Sequence, residues 1–210
     1  MSLINKMFVF LAFFALSTIH AEKPQVHVVF EALCPASINF VETNLKSNYS
    51  PVLKDHVDIT FIPFGKAREV PEPEKFSCQH GPEECQLNMM MSCALYFLKE
   101  QPKQVDFVVC AMKLRENWME CAKKVKILPE NVLKCYNGTS MGEELQVKAM
   151  QLQNEVLGGF PKGVPTIVVD RKPDDYLTRL AFEDLRKALC ELFHEKTDTK
   201  WTQELIDYCK

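Results

Sequence analysis

Two groups of residues in this 210-residue chain have the types and spacing to do sulfur chemistry. One is Cys34-Pro35-Ala36-Ser37. The other runs from Cys78 to Cys93 and reads Cys-Gln-His-Gly-Pro-Glu-Glu-Cys-Gln-Leu-Asn-Met-Met-Met-Ser-Cys. The chain holds nine cysteines, and an odd count leaves at least one thiol outside any set of internal bridges. Cys34 is the candidate for that thiol, with Cys209 at the C-terminal end as the alternative. Cys34 follows an apolar run and precedes a proline, so it falls where a strand gives way to a helix. Free N–H groups and the positive end of the helix dipole favour a thiolate at such a position. The other eight, Cys78, Cys85, Cys93, Cys110, Cys121, Cys135, Cys190 and Cys209, are read as disulfides whose pairing spacing alone does not choose. Zinc is the competing reading for Cys78, Cys85, Cys93 and His80. The paired short spacings of structural zinc sites are missing there, so no metal is expected.

The elements that must position these groups follow from periodicity. Val26 to Leu33 is β-branched and apolar over the length of a strand. After Pro35, which suits a first helical turn, Ile38, Phe40, Val41 and Leu45 recur at helical spacing. Val57 to Phe64 alternates as a second strand, which completes a βαβ unit. Residues of about 66–160 read as mostly helical, with apolar faces at Phe107, Val108, Cys110, Ala111 and Leu114 and at Trp118, Met119, Ala122 and Val125. Pro129 opens a further helix, and Leu145 to Val156 forms another that stops at Gly158-Gly159. Val164 to Asp170 is a strand, and Phe182 through Phe193 has the period of one helix. Two βα pieces around a disulfide-rich helical block predict an α/β protein with a thioredoxin-like fold and a mostly helical insertion. Met89-Met90-Met91 reads as core filling on a helix, with an adaptable binding surface as the alternative.

Composition bounds the function classes. At 47% hydrophobic residues the chain supports one well-buried core in a single domain, 22–210. Residues 1–21 have the form of a signal peptide: Lys6, an apolar run from Met7 to Ile19, and a small residue at Ala21. An uncleaved anchor is the alternative, but the run is shorter than the ~20 residues that span a bilayer. No later segment is apolar enough for a membrane span. The net charge of -3 carries no basic block, so nucleic acid is not an expected partner. An exported chain rich in cysteine implies an oxidising compartment. Asn137-Gly138-Thr139 is the stronger glycosylation sequon, and Asn48-Tyr49-Ser50, followed by Pro51, the weaker.

The Cys78–Cys93 run coincides with the pattern C-Q-H-G-x2-E-C-x2-N-x4-C. In this it resembles the gamma-interferon-inducible lysosomal thiol reductase (GILT) family. The likeness extends over the mature chain, through Phe61 to Gly65, Cys110, Cys121, Cys135 and Val164-Pro165 to Cys190-Glu191-Leu192-Phe193. It implies a secreted or lysosomal oxidoreductase that acts on disulfide-containing proteins, with a place in innate defence. Cys34 takes the position of the family's first catalytic cysteine, while Ser37 stands where the resolving cysteine belongs. The resemblance also places a cis peptide bond before Pro165, with Val164 and Pro165 meeting substrate backbone; a turn or edge-strand proline is the alternative.

A serine cannot resolve a mixed disulfide. The expected chemistry is therefore monothiol exchange with no bound cofactor, reset by an external small thiol, glutathione or cysteine. Ser37 is expected to hydrogen-bond the Cys34 thiolate. His80 is expected to be a hydrogen-bonding residue of the turn. The segment Gly158 to Gly163 departs from the Pro-Pro-His-rich one usual in that family. The competing reading is a non-catalytic secreted binding protein that has lost reductase activity.

Overall fold

A computed structural model of the chain describes residues 23–114, 117–138, 140–170, 173 and 176–210. The leader read from residues 1–21 lies outside them. Strand β1 (Gln25–Phe30) is the centre of a three-stranded sheet of order β2-β1-β5. It pairs in parallel with β2 (Asp58–Pro63), with Val28 opposite Phe61. It pairs antiparallel with β5 (Thr166–Val169), where Val28 faces Ile167. A central strand covered on both faces is mostly apolar: Val26, Val28, Val29 and Phe30 are wholly buried, with His27 a buried polar exception. Val26, Val28 and Phe30 belong to the larger core, while Val29 joins Ile62, Phe64, Ala67 and Phe76 on the other side.

The β1–β2 crossover carries α1 (Pro35–Asn39), a π-helical stretch Phe40–Leu45, α2 (Lys46–Asn48) and a 3-10 turn Pro51–Asp55. The hairpin β3 (Arg68–Glu69) and β4 (Phe76–Ser77) follows β2. Among the described residues, five α-helices then separate it from β5: α3 (Pro82–Phe97), α4 (Gln101–Leu114), α5 (Trp118–Lys124), α6 (Pro129–Gly138) and α7 (Met141–Leu157). On α5, Trp118 and Ala122 are buried but Met119 is 41% exposed, so the expected face is narrower than its spacing suggested. Met90 and Met91 are core residues at 1% exposure. Among the described residues no helix is long and apolar enough to cross a membrane.

The single helix expected over Phe182–Phe193 is two: α8 (Tyr176–Glu183) and α9 (Leu185–Glu195). Asp184 breaks the run in extended conformation and caps α9 by accepting from the N–H of Lys187 at 2.9 Å. The buried Asn44 fills the break. Its amide donates to the carbonyls of Ala181 and Phe182, and its oxygen accepts from the N–H of Leu185. Helix α10 (Gln203–Tyr208) closes the chain.

Four disulfides tie this helical mass together. Cys78–Cys85 joins the exit of β4 to α3, Cys93–Cys135 joins α3 to α6, Cys110–Cys121 joins α4 to α5, and Cys190–Cys209 holds the C-terminus on α9. With Cys78, Cys85 and Cys93 all bridged, no thiolate set is left for zinc.

Candidate active site

Cys34 is the one free cysteine. It occupies the N-cap position of α1, directly before Pro35, and is 8% exposed. Its Sγ lies 3.7 Å from the carbonyl oxygen of Val164, in the loop that leads into β5. The Val164–Pro165 peptide bond is cis. The start of the first helix and the segment before the last strand, 130 residues apart in sequence, therefore meet at one sulfur.

Ser37 lies one turn into α1 and is wholly buried. Its hydroxyl oxygen accepts from the N–H of Glu31 at 3.4 Å. Among the described residues no hydrogen bond joins it to Cys34. The expectation of a Ser37–thiolate contact is not met, because the side chain turns inward to the end of β1. Asn137 is exposed in the last turn of α6, whereas Asn48 is half-buried and donates its amide to Asn44 Oδ1 at 2.7 Å.

The loop Glu31–Leu33 that delivers Cys34 is gripped by α3. Glu84 and Asn88 are one helical turn apart and so share a face. Asn88 Oδ1 accepts from the N–H of Ala32 at 2.9 Å, and Glu84 Oε2 accepts from the N–H of Leu33 at 3.3 Å. Glu84 Oε1 also accepts from the N–H of His80 at 3.1 Å, which ties the turn before α3 to the helix's first turn. His80 Nδ1 sits 2.6 Å from Glu84 Oε2 and 3.7 Å from Glu31 Oε2. Glu31 Oε1 accepts from the N–H of Lys66 at 2.7 Å, which ties in the turn after β2.

That turn needs Gly65 twice over: its φ is +61°, and a Cβ there would stand 2.4 Å from Glu31 Cγ. So the polar residues of the Cys78–Cys93 run (His80, Glu84 and Asn88) hold the backbone before the reactive sulfur, while its cysteines fasten α3 at both ends.

Neither Glu31, Glu84, Asn88 nor Lys66 was singled out as a site residue from sequence. The available signal was a charge at 31 inside an apolar run, and two polar residues at i and i+4 on a buried helix. Burial pushes the Glu31 carboxyl above its ordinary value; the Glu84 charge adds to this, while the Lys66 N–H and His80 oppose it. Glu31, His80 and Glu84 bring ligand atoms within 4.8 Å of one another, close enough to chelate a cation. Backbone N–H groups already engage both carboxylates, however, which assigns the cluster to holding the loop.

A parallel βαβ unit, an antiparallel strand entered through a cis proline and a thiol at the head of the first helix define a thioredoxin-like protein of the thiol oxidoreductase class. Solved structures agree on the fold. The chain resembles DsbA of Chlamydia trachomatis with a TM-score of 0.53 at 17% identity, over 83% of this chain and 88% of that one. It resembles a putative protein disulfide isomerase from Nitrosomonas europaea with a TM-score of 0.52 at 13% identity, over 84% and 100%.

The family model for gamma interferon inducible lysosomal thiol reductase (GILT) matches residues 25–125. GILT-like protein 1 of Drosophila melanogaster is 30% identical over 194 residues, 81% of this chain and 75% of that protein. The gamma-interferon-inducible lysosomal thiol reductase of Mus musculus is 28% identical over 156 residues, 71% and 61%. The chain belongs to the GILT family.

Proposed function

We propose that the protein exchanges and reduces disulfides of other proteins through Cys34 alone. The supporting observation is the placement of the one unbridged sulfur beside the Val164 carbonyl and the cis Val164–Pro165 bond. The Cys34 thiolate attacks one sulfur of a substrate disulfide. That S–S bond breaks, a mixed disulfide forms, and the departing substrate thiolate takes up a proton. A small thiol such as glutathione or cysteine then attacks Cys34 Sγ and releases the reduced substrate. A second attacks the outer sulfur, regenerating Cys34 and leaving the small thiol as its own disulfide. One substrate disulfide is thus reduced as two external thiols are oxidised.

Val164 and Pro165 position the substrate backbone. The compartment is secretory or lysosomal, in keeping with the leader and four bridges, and innate defence is the setting. One observation favours the competing non-catalytic reading: Cys34 is 8% exposed and Ser37 is not exposed at all.

Reduction of a protein disulfide at about pH 5 with excess glutathione or cysteine separates the two. Wild type should turn over, Cys34→Ala should lose the activity, and Ser37→Cys should lower the dependence on external thiol. Equal rates for wild type and Cys34→Ala would leave only a binding role.

A further inference from the structure

A cavity of about 570 Å³ lies between the turn after β2 and the loop that leads to Val164, lined by Lys66, Arg68 and Lys162, together with Ser77, Gln79 and Phe160. It has three cationic side chains in its wall and no carboxylate. Lys66 and Arg68 form no ion pair among the described residues. Glu31, which accepts from the Lys66 backbone and feels the Lys66 charge, is wholly buried and lies outside the lining. Arg68 is held in place: its guanidinium lies 4.7 Å from the centre of the half-exposed Phe160 ring. Stacking orders the group but leaves its charge uncompensated and its N–H edge open to a planar anion.

The position of the cavity links it to the reaction. Lys162 precedes Val164 by two residues, which span at most ~7 Å of extended chain, and the Val164 carbonyl is 3.7 Å from Cys34 Sγ. Lys66, also in the lining, is fastened through its N–H to Glu31, three residues before Cys34. A chain bonded through sulfur to Cys34 and running over the proline loop would bring its second or third residue to these cations.

We infer that this cavity recognises carboxylates, so that the disulfides the protein takes are ones bearing an acidic group two or three residues from the attacked sulfur, or the carboxylates of a glutathionyl group. Phe160 and Lys162 both belong to the Gly158–Gly163 segment, so the selectivity resides in this chain's own loop. The inference rests on the exchange reading for its biological meaning, but its test does not.

Binding is measured on the Cys34→Ala protein with three unreactive probes: S-methylglutathione, a short peptide with S-methylcysteine flanked by Asp and Glu, and the same peptide with Asn and Gln. At least one acidic probe should bind about tenfold more tightly than the neutral peptide, which corresponds to about 1.4 kcal/mol. The preference should weaken with added salt. Lys66→Gln, Arg68→Gln and Lys162→Gln combined should erase that preference without changing the unfolding midpoint or neutral-peptide binding.

Which acidic probe is preferred identifies the source of the carboxylate. Equal binding of all three probes, or a preference that survives the triple substitution, overturns the proposal whether or not Cys34 is catalytic. Loss of exchange with the preference intact would instead overturn only the exchange reading.

Discussion

Glu31 is a carboxyl group wholly removed from water, with one oxygen on the Lys66 N–H and the other without a hydrogen bond. Burial makes its charged form costly, so the folded protein holds that proton more tightly than the unfolded chain does. Where the native state binds more protons than the unfolded one, stability falls as pH rises. The contribution of Glu31 is therefore full below the ordinary carboxyl value of 4.5 and is lost as pH climbs through its raised folded value. Glu31→Gln keeps the acceptor for Lys66 and removes the titration. Unfolding free energies measured from pH 4 to pH 7 should show the wild type losing ground to the variant as pH rises above the ordinary carboxyl value. Parallel curves would mean that Glu31 ionises as freely when folded as when unfolded. This slope suits a protein proposed to work in an acidic compartment.

At the scale of elements, α3 presents Glu84 and Asn88 to the Glu31–Leu33 loop and thereby aims Cys34. Asn88→Ala would strand the N–H of Ala32 in the interior, at a cost of about 1–3 kcal/mol. The same change should speed iodoacetamide labelling of Cys34, since the loop before it loses an anchor. A stability loss with unchanged labelling would show that other contacts hold the loop. This clamp also marks how much the sequence disclosed. The strand, helix and second strand around Cys34 were readable because their apolar residues recur with the period of each element. Yet β1 ends at Phe30 rather than Leu33, because Ala32 and Leu33 turn their N–H groups, and Glu31 its carboxylate, to partners 35 to 56 residues away. Nothing local announces such partners. The α8–α9 break escaped for the same reason: Asn44, 137 to 141 residues upstream, fills it, although Asp184 was a local capping signal. Ser37 was placed correctly on the first helical turn, but its direction depends on packing against β1.

For the molecule as a whole, the bridges divide into fastenings of the fold and fastenings of the site. Cys93–Cys135 closes a loop with a sequence separation of 42, while Cys78–Cys85 closes one of 7. Loop-closure entropy lost from the unfolded chain assigns about 4 kcal/mol to the first and about 2.5 kcal/mol to the second. Native domains hold only about 5–15 kcal/mol in total, so the first loss removes a large share of stability. The shorter bridge has a different task. Cys78 lines the cationic cavity, and its link to Cys85 shapes the turn that presents His80 to Glu31 and Glu84. Paired Cys→Ala variants should therefore dissociate two properties. Removing Cys93–Cys135 should lower the urea midpoint more, while leaving the rate of disulfide exchange per folded molecule nearly unchanged. Removing Cys78–Cys85 should lower stability less and the exchange rate more, because the clamp on the Cys34 loop loosens. Urea unfolding and exchange kinetics on the same preparations decide the matter, and effects that track each other in both variants would mean that site and fold are held by the same contacts.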